Sequence, residues 1–149
     1  MKIEKAINQT KPFKNCYQKA MVNLIYTSNW LEERLREIIK PFGLTIQQYN
    51  VLRILRGAGM PLSTSVIRKR LIDKMSDTSR MVDRLHKKGL VSRNACCVDR
   101  RLVDIALTND GETLLQDIDT LSSTFDECMC NLDKAEARLL NELLDKLRS

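Results

Sequence analysis

The sequence predicts a mainly α chain with one small β-hairpin, an α+β arrangement. Three observations carry that expectation. Apolar residues recur at helical spacing over most of the chain, two runs between residues 90 and 107 have strand character, and Lys87-Lys88-Gly89-Leu90 joins the two patterns. Two short helix patterns followed at once by a charged hairpin make a winged helix-turn-helix, whose second helix enters a major groove while the hairpin tip reaches the backbone or minor groove. Double-stranded DNA is therefore the expected partner. The 149 residues suit one domain able to bury a core without disulfides or metals. No run of about eighteen apolar residues occurs and the stretch Met1 to Thr10 is too polar for a signal peptide, so the expected location is cytoplasmic.

From Tyr17 the apolar positions Tyr17, Met21, Leu24, Leu31, Leu35 and Ile38 trace one stripe of a long helix. Pro41 biases its predecessor out of the helical region, and Gly43 follows, so the helix should stop near Lys40. Thr45-Ile46-Gln47-Gln48 reads as a capping box opening a helix with Val51, Leu52 and Leu55 inside. Gly57-Ala58-Gly59-Met60-Pro61 ends it, and Ser63 or Thr64 caps a short helix packed through Val66, Ile67 and Leu71.

The next helix is the decisive one, expected to be capped by Ser76 and closed by Gly89 in the left-handed conformation, with Leu90 folding back onto Leu85. Thr78, Met81, Val82 and Leu85 share one side, which leaves Ser76, Arg80, Asp83 and Lys87 facing away and Ser79 and Arg84 at the flanks. Leu90 to Cys96 and Leu102 to Leu107 read as strands, the second with Val103, Ile105 and Leu107 inward. Between them Cys97-Val98-Asp99-Arg100-Arg101 is a tip loaded with guanidinium. Thr108 caps a helix with the stripe Ile118, Leu121, Phe125, Cys128 and Leu132, and Asp133 with Glu136 opens a last helix using Leu139, Leu140, Leu143 and Leu147.

Charge sharpens the reading. Residues 53–101 hold 13 Lys/Arg against 4 Asp, whereas residues 102–149 hold 4 Lys/Arg against 11 Asp/Glu. A basic excess confined to a groove-binding motif favours a polyanion over a merely solvated face. The five cysteines, Cys16, Cys96, Cys97, Cys128 and Cys130, are odd in number and irregularly spaced, as expected of reduced thiols. Zinc fits poorly: there is one histidine, no Cys-x-x-Cys, and Cys128 and Cys130 would stand about 200° apart on a helix. No metal site and no cofactor is expected. An enzyme is disfavoured as well, since His86 has no nucleophile or paired carboxylate in suitable context and Gly57-Ala58-Gly59 reads as a turn. The remaining alternative is a winged-helix protein-interaction module that never touches DNA.

The first helix and the last two carry more apolar surface than the winged unit needs. A second copy of the chain is the economical cover, through Tyr17, Met21, Leu24, Leu139, Leu143 and Leu147, although packing on the chain's own winged unit is the simpler alternative.

Leu44-Thr45-Ile46-Gln47-Gln48, the run Ser76 to Leu85, Lys88-Gly89-Leu90-Val91, Asp99-Arg100-Arg101 and Leu107-Thr108-Asn109-Asp110-Gly111 follow in an order and spacing that resemble the MarR (multiple antibiotic resistance regulator) family over nearly the whole chain. The resemblance implies one domain over residues 1–149, a DNA-binding lobe over 44–108, and dimerisation helices over 12–40 and 109–149. It further implies a homodimer on a palindromic operator, often a repressor released by a small aromatic ligand or by thiol oxidation. Ser79-Arg80 matches the family's Thr-Arg pair on the recognition helix, and Asp99 with Arg101 matches the wing's Asp-x-Arg. The expected DNA-binding set is Ser63, Thr64, Ser76, Asp77, Ser79, Arg80, Arg84, Lys87, Asp99, Arg100 and Arg101, with Asp77 and Asp83 orienting arginines or accepting from a cytosine amine. Cys16, near Tyr17 and Tyr26, loosely resembles the hydroperoxide-sensing branch and is the candidate redox sensor, a buried inert thiol being the alternative. Adjacent Cys96 and Cys97 on a strand would point to opposite faces, which makes a disulfide between them strained.

Overall fold

A computed structural model of the chain describes residues 1–74, 77–95 and 103–149. After a one-turn helix α1 (Ile3–Ala6), α2 (Cys16–Ile39) runs for 24 residues, capped by Asn15, whose side chain accepts from Gln18 N. The sequence pattern missed α1; its Ile3 is nonetheless buried, and Glu4 pairs with Lys19 at 2.6 Å. As expected from Pro41, α2 gives way at Lys40–Phe42 to a 3-10 turn closed by left-handed Gly43.

Helix α3 (Ile46–Ala58) opens on the expected capping box: Gln48 N donates to Thr45 Oγ1 and Thr45 N to Gln48 Oε1, both at 3.1 Å. Two free N–H groups are thereby satisfied reciprocally. Then come β1 (Leu62–Ser63), α4 (Thr64–Arg70), α5 (Thr78–Lys87), β2 (Val91–Ala95) and β3 (Val103–Leu107). The two expected strands are joined by a third, β1, too short for a pattern to reveal. The sheet order is β1-β3-β2, antiparallel, with Leu62 opposite Ile105 and Arg93 also opposite Ile105 from the other side. Central placement buries Ile105, while Val103, expected inward, is 45% exposed because it lies at the end of the ladder away from the core.

Helix α6 (Asn109–Asp119) is capped by Thr108, whose hydroxyl accepts from Gly111 N at 3.1 Å and donates to Gly89 O at 2.7 Å. The single helix expected after Thr108 is in fact two. Thr120 Oγ1 donates back to Asp117 O at 2.6 Å, and Leu121 N turns onto Ile118 O, so the ladder tightens and breaks before α7 (Ser122–Glu127). Helix α8 (Lys134–Arg148) begins at the Asp133–Glu136 capping box.

One core joins Ile39 of α2, Val51, Leu52 and Leu55 of α3, Ile67 of α4, Val82 and Leu85 of α5, Val91 and Ile105 of the sheet, and Leu115 and Ile118 of α6. It centres on the winged unit. Outside it, Tyr17, Met21 and Leu24 of α2 and Leu139, Leu143 and Leu147 of α8 remain exposed. None of the described helices is long and apolar enough to cross a membrane.

Candidate nucleic-acid interface

Helix α5 is set by burial on one side. Thr78, Val82 and Leu85 face the core with Met81 half-buried, and Ser79, Arg80, Asp83, Arg84 and Lys87 are exposed. The cap is Asp77 rather than Ser76, which lies outside the described residues together with Asp99, Arg100 and Arg101. Asp and Ser cap about equally well, so local preference does not choose between neighbours. Asp77 Oδ1 accepts from Arg80 N at 3.1 Å, and Oδ2 lies 3.4 Å from Arg80 Nε. One carboxylate thus ends the helix and steers the guanidinium that stands at its outward face.

The C-terminal end of α5 is closed as the glycine predicted. Gly89 is left-handed at φ 73, its N–H donates to His86 O at 2.9 Å, and Leu90 N donates to Leu85 O at 3.0 Å, a Schellman arrangement. Three side chains then tie α5 to its surroundings. Asp83 forms an ion pair with Arg93 of β2, His86 Nδ1 lies 3.0 Å from Val91 O, and Lys88 Nζ donates to Gly43 O, just past the end of α2. The role of Asp83 is therefore local: it fixes helix to strand.

Between α4 and the start of α5 runs an open groove lined by Thr64, Ser65, Arg68, Lys69, Lys74, Asp77, Thr78 and Ser79. Hydroxyls and cations dominate it, a lining suited to phosphate oxygens. Ser63 is engaged in folding: it caps α4 by accepting from Val66 N at 3.4 Å and lies 2.9 Å from Ser65 Oγ. Thr64 is half-buried at the groove wall. Ser65, Arg68 and Lys69 were not among the expected contacts, yet their i, i+3, i+4 spacing opposite Ile67 and Leu71 was the available signal.

Not every cation of the basic segment faces outward. Arg56 makes two bonds to Asp119 of α6, at 2.7 and 3.1 Å, which raise the guanidinium's pKa and lower the carboxyl's. Arg53 lies over the Tyr49 ring at 5.6 Å. The excess that remains on α4 and α5 is smaller than the sequence count, but it is concentrated around the groove.

The sequence model of the MarR family matches residues 44–103, from the residue before α3 cap to the first residue of β3. The HTH-type transcriptional repressor MdtR of Bacillus subtilis is 32% identical over 88 residues, a match spanning 59% of this chain and 56%, about half, of MdtR. The crystal structure of a MarR transcription factor from Planctomyces limnophilus is 32% identical and superposes with a TM-score of 0.68, covering 90% of this chain and 98% of that one. The chain belongs to the MarR family. A cysteine-to-serine mutant of E. coli MarR complexed with operator DNA is 27% identical, with a TM-score of 0.79 over 90% of this chain and 99% of that one. In MarR terms the described winged unit comprises α3, α4, α5 and the three strands, and α2 with α6, α7 and α8 flanks it.

Proposed function

We propose that this MarR-family chain is a transcriptional regulator that binds a palindromic operator in double-stranded DNA as a homodimer and represses until an effector, a small aromatic ligand or an oxidant, releases it. The observation that carries the DNA-binding reading is α5: a helix buried on Thr78, Val82 and Leu85 that presents Ser79, Arg80, Arg84 and Lys87 beside a cationic, hydroxyl-lined groove. We assign Arg80 to a bidentate contact with a guanine edge, supported by its exposure on the outward side of α5, and Arg84, Lys87, Arg68 and Lys69 to phosphate. Asp99, Arg100 and Arg101 are assigned to the wing by sequence alone.

The homodimer reading rests on the apolar residues left outside the core. Tyr17 at 81%, Met21 at 59%, Leu143 at 56% and Leu147 at 66% exposure form stripes on α2 and α8 that a partner copy would cover. Two-fold pairing would then place two α5 helices about one DNA turn apart. We assign no catalytic role to any residue.

Titration of duplex DNA against salt tests the proposal. Affinity should fall with a slope of about −0.9 per phosphate neutralised, and selection from genomic fragments should return a palindrome. A flat salt response, or no binding to any duplex at low salt, would favour the protein-interaction module instead.

A further inference from the structure

Arg53 and Arg70 belong to the basic segment, yet the groove beside α5 uses neither. At roughly 100° per residue, Arg70 stands about 150° round α4 from the middle of the face formed by Ser65, Arg68 and Lys69. With Asn50, Arg53 and Ile54 of α3, and with Ile72 beyond the end of α4, it lines a separate cleft that no acidic residue lines. Among the described residues neither guanidinium forms an ion pair. Arg53 lies over the Tyr49 ring at 5.6 Å, and Asp119, which it influences only through space, is bonded twice by Arg56. Ile72 is 84% exposed beside these two cations, an aliphatic knob outside the core.

Tyr49 links this cleft to acid. Its ring also stacks on Phe125 of α7, with centroids 6.1 Å apart. Leu121, Thr124, Glu127 and Cys128 turn toward α2, where they line a cavity, and Asp126 stands about 170° from the middle of that face, exposed and next to Phe125 in the chain. Just past the end of α7, Met129 is 40% exposed. One flank of the lobe therefore carries two cations with an isoleucine, and, across the Tyr49–Phe125 stack, a carboxylate with a methionine.

We propose that this flank docks a second copy of the chain belonging to a neighbouring molecule, Arg53 and Arg70 of one lobe meeting Asp126 of the other and the reverse about a local two-fold axis, with Ile72 packed on Met129. The contact is separate from the groove and from the α2 stripe, so it goes beyond both DNA binding and the homodimer. A patch carrying both signs side by side is self-complementary, and such an isologous contact closes on itself instead of growing into a filament. An acidic peptide of another protein would satisfy the two cations and leave Asp126 unanswered; a second copy satisfies both. Exposed ion pairs are individually weak and screened by salt, so the contact is weak in free solution. On one duplex, neighbours are held at an effective concentration of about a millimolar, which turns a weak contact into cooperative occupancy of adjacent sites.

Sedimentation of the full chain at about 0.1 mM, in about 0.1 M and then about 1 M salt, tests the contact, because the Debye length falls from about 10 Å to about 3 Å over that range. The mass should double relative to the basic unit in low salt and return in high salt. Arg70→Glu and Asp126→Arg should each weaken the doubling at least about tenfold, since like charges then face each other. An equimolar mixture of the two variants should recover it through the exchanged pair. Lys11→Glu, the same change of charge in the loop before α2, should leave it at the wild-type level. Leu143→Glu should reduce the basic unit itself and leave its doubling intact, so failure of the stripe dimer and failure of the flank contact give different masses. No doubling in low salt, no recovery in the mixture, or equal weakening by Lys11→Glu overturns the proposal. Arg70→Glu that loses duplex affinity while self-association stays at the wild-type level also overturns it, and gives the flank to DNA.

Discussion

Gly111 sits in the first turn of α6, buried where that helix meets the sheet. A Cβ built there would lie 2.3 Å from Leu90 O and 2.7 Å from Leu107 Cδ1. Leu107 has rotamers to explore; Leu90 O does not, because it is backbone and already accepts from Thr108 N at 3.2 Å. Gly111→Ala therefore sets two opposed effects against each other. Alanine gains about 1 kcal/mol of helix propensity over glycine, whereas forcing a methyl into a packed site costs typically about 1–3 kcal/mol, with the upper end expected against an immobile carbonyl. The net expectation is a loss of about 1–2 kcal/mol, or roughly 2–8 °C in Tm for a chain of this size. Gly57 supplies the control. It lies exposed in the last turn of α3 with nothing within 4 Å of its would-be Cβ, so Gly57→Ala should show the propensity gain alone, a rise of about 0.5–1 kcal/mol. Denaturant unfolding at one fixed protein concentration measures both, the concentration being fixed because association would otherwise contribute. If Gly111→Ala matches Gly57→Ala in sign and size, the close approach of α6 to the β2–β3 base does not constrain the fold and the reasoning is refuted.

Arg80→Ala should cost about 1–3 kcal/mol on the selected operator and relax base preference, measured by competition binding against single-base variants; an unchanged profile removes Arg80 from direct readout. Leu143→Glu should lower association and operator binding together, since an ionised group would enter the apolar stripe; a sedimentation profile matching wild type refutes the assigned interface. Thr45→Ala removes the capping-box acceptor and should destabilise by about 1 kcal/mol in urea. Arg56 holds the Asp119 carboxyl below its ordinary 3.8, so the pair's stabilisation is present above that pH and lost as pH falls through the lowered value. Asp119 is half exposed, so the effect should stay under about 1 kcal/mol, and Asp119→Asn should flatten only that acid limb of the stability profile.

What could be read from the sequence was whatever short-range chemistry decides. The Thr45–Gln48 box, the Gly89 terminus, the Thr108 cap and the buried side of α5 all follow from residues within a few positions of one another. Elements decided by distant partners were not legible. β1 is two residues long and exists because Leu62 and Ser63 pair with Ile105 and Asp104, over forty positions away. Helix α1 has one buried residue, Ile3, and no periodicity to show. The break between α6 and α7 escaped notice because the apolar spacing continues through it; only the hydroxyl of Thr120, bonded to its own backbone, marks the interruption. The end of α7 at Glu127 carried the larger error at the cysteines, since a helix assumed to run on through residue 130 separates two thiols that the structure brings to the lining of one cavity beside Trp30 and Arg34 of α2. At the candidate interface Ser63 caps α4, as its sequence position allowed, and Asp77 takes the cap expected of Ser76, while Arg68 and Lys69, absent from the expected set, line the groove.

The ties on α5 suggest why such a helix suits a switch. Asp83–Arg93 is an ion pair with both partners well exposed, at 49% and 34%, and pairs of that kind contribute about 0.2–1 kcal/mol. His86 to Val91 O adds a hydrogen bond of about 1 kcal/mol, and the exposed Lys88 to Gly43 O, screened by solvent as the ion pair is, about 0.5–1 kcal/mol. Lys88 thus contributes a share comparable with the others, and among the described ties of α5 it reaches a partner outside the winged unit's own helices and strands. Coupling between sites is typically about 1–3 kcal/mol, the size of the three ties together. An event on α2 large enough to displace Gly43 therefore needs no broad unfolding of the interface to re-aim Arg80 and Arg84; releasing one lysine reaches the lower end of that range. Lys88→Met separates this from a general loosening. It should mimic the effector's influence on operator affinity while sparing the core-buried side of α5, so that binding falls and unfolding stability changes by little more than the one bond.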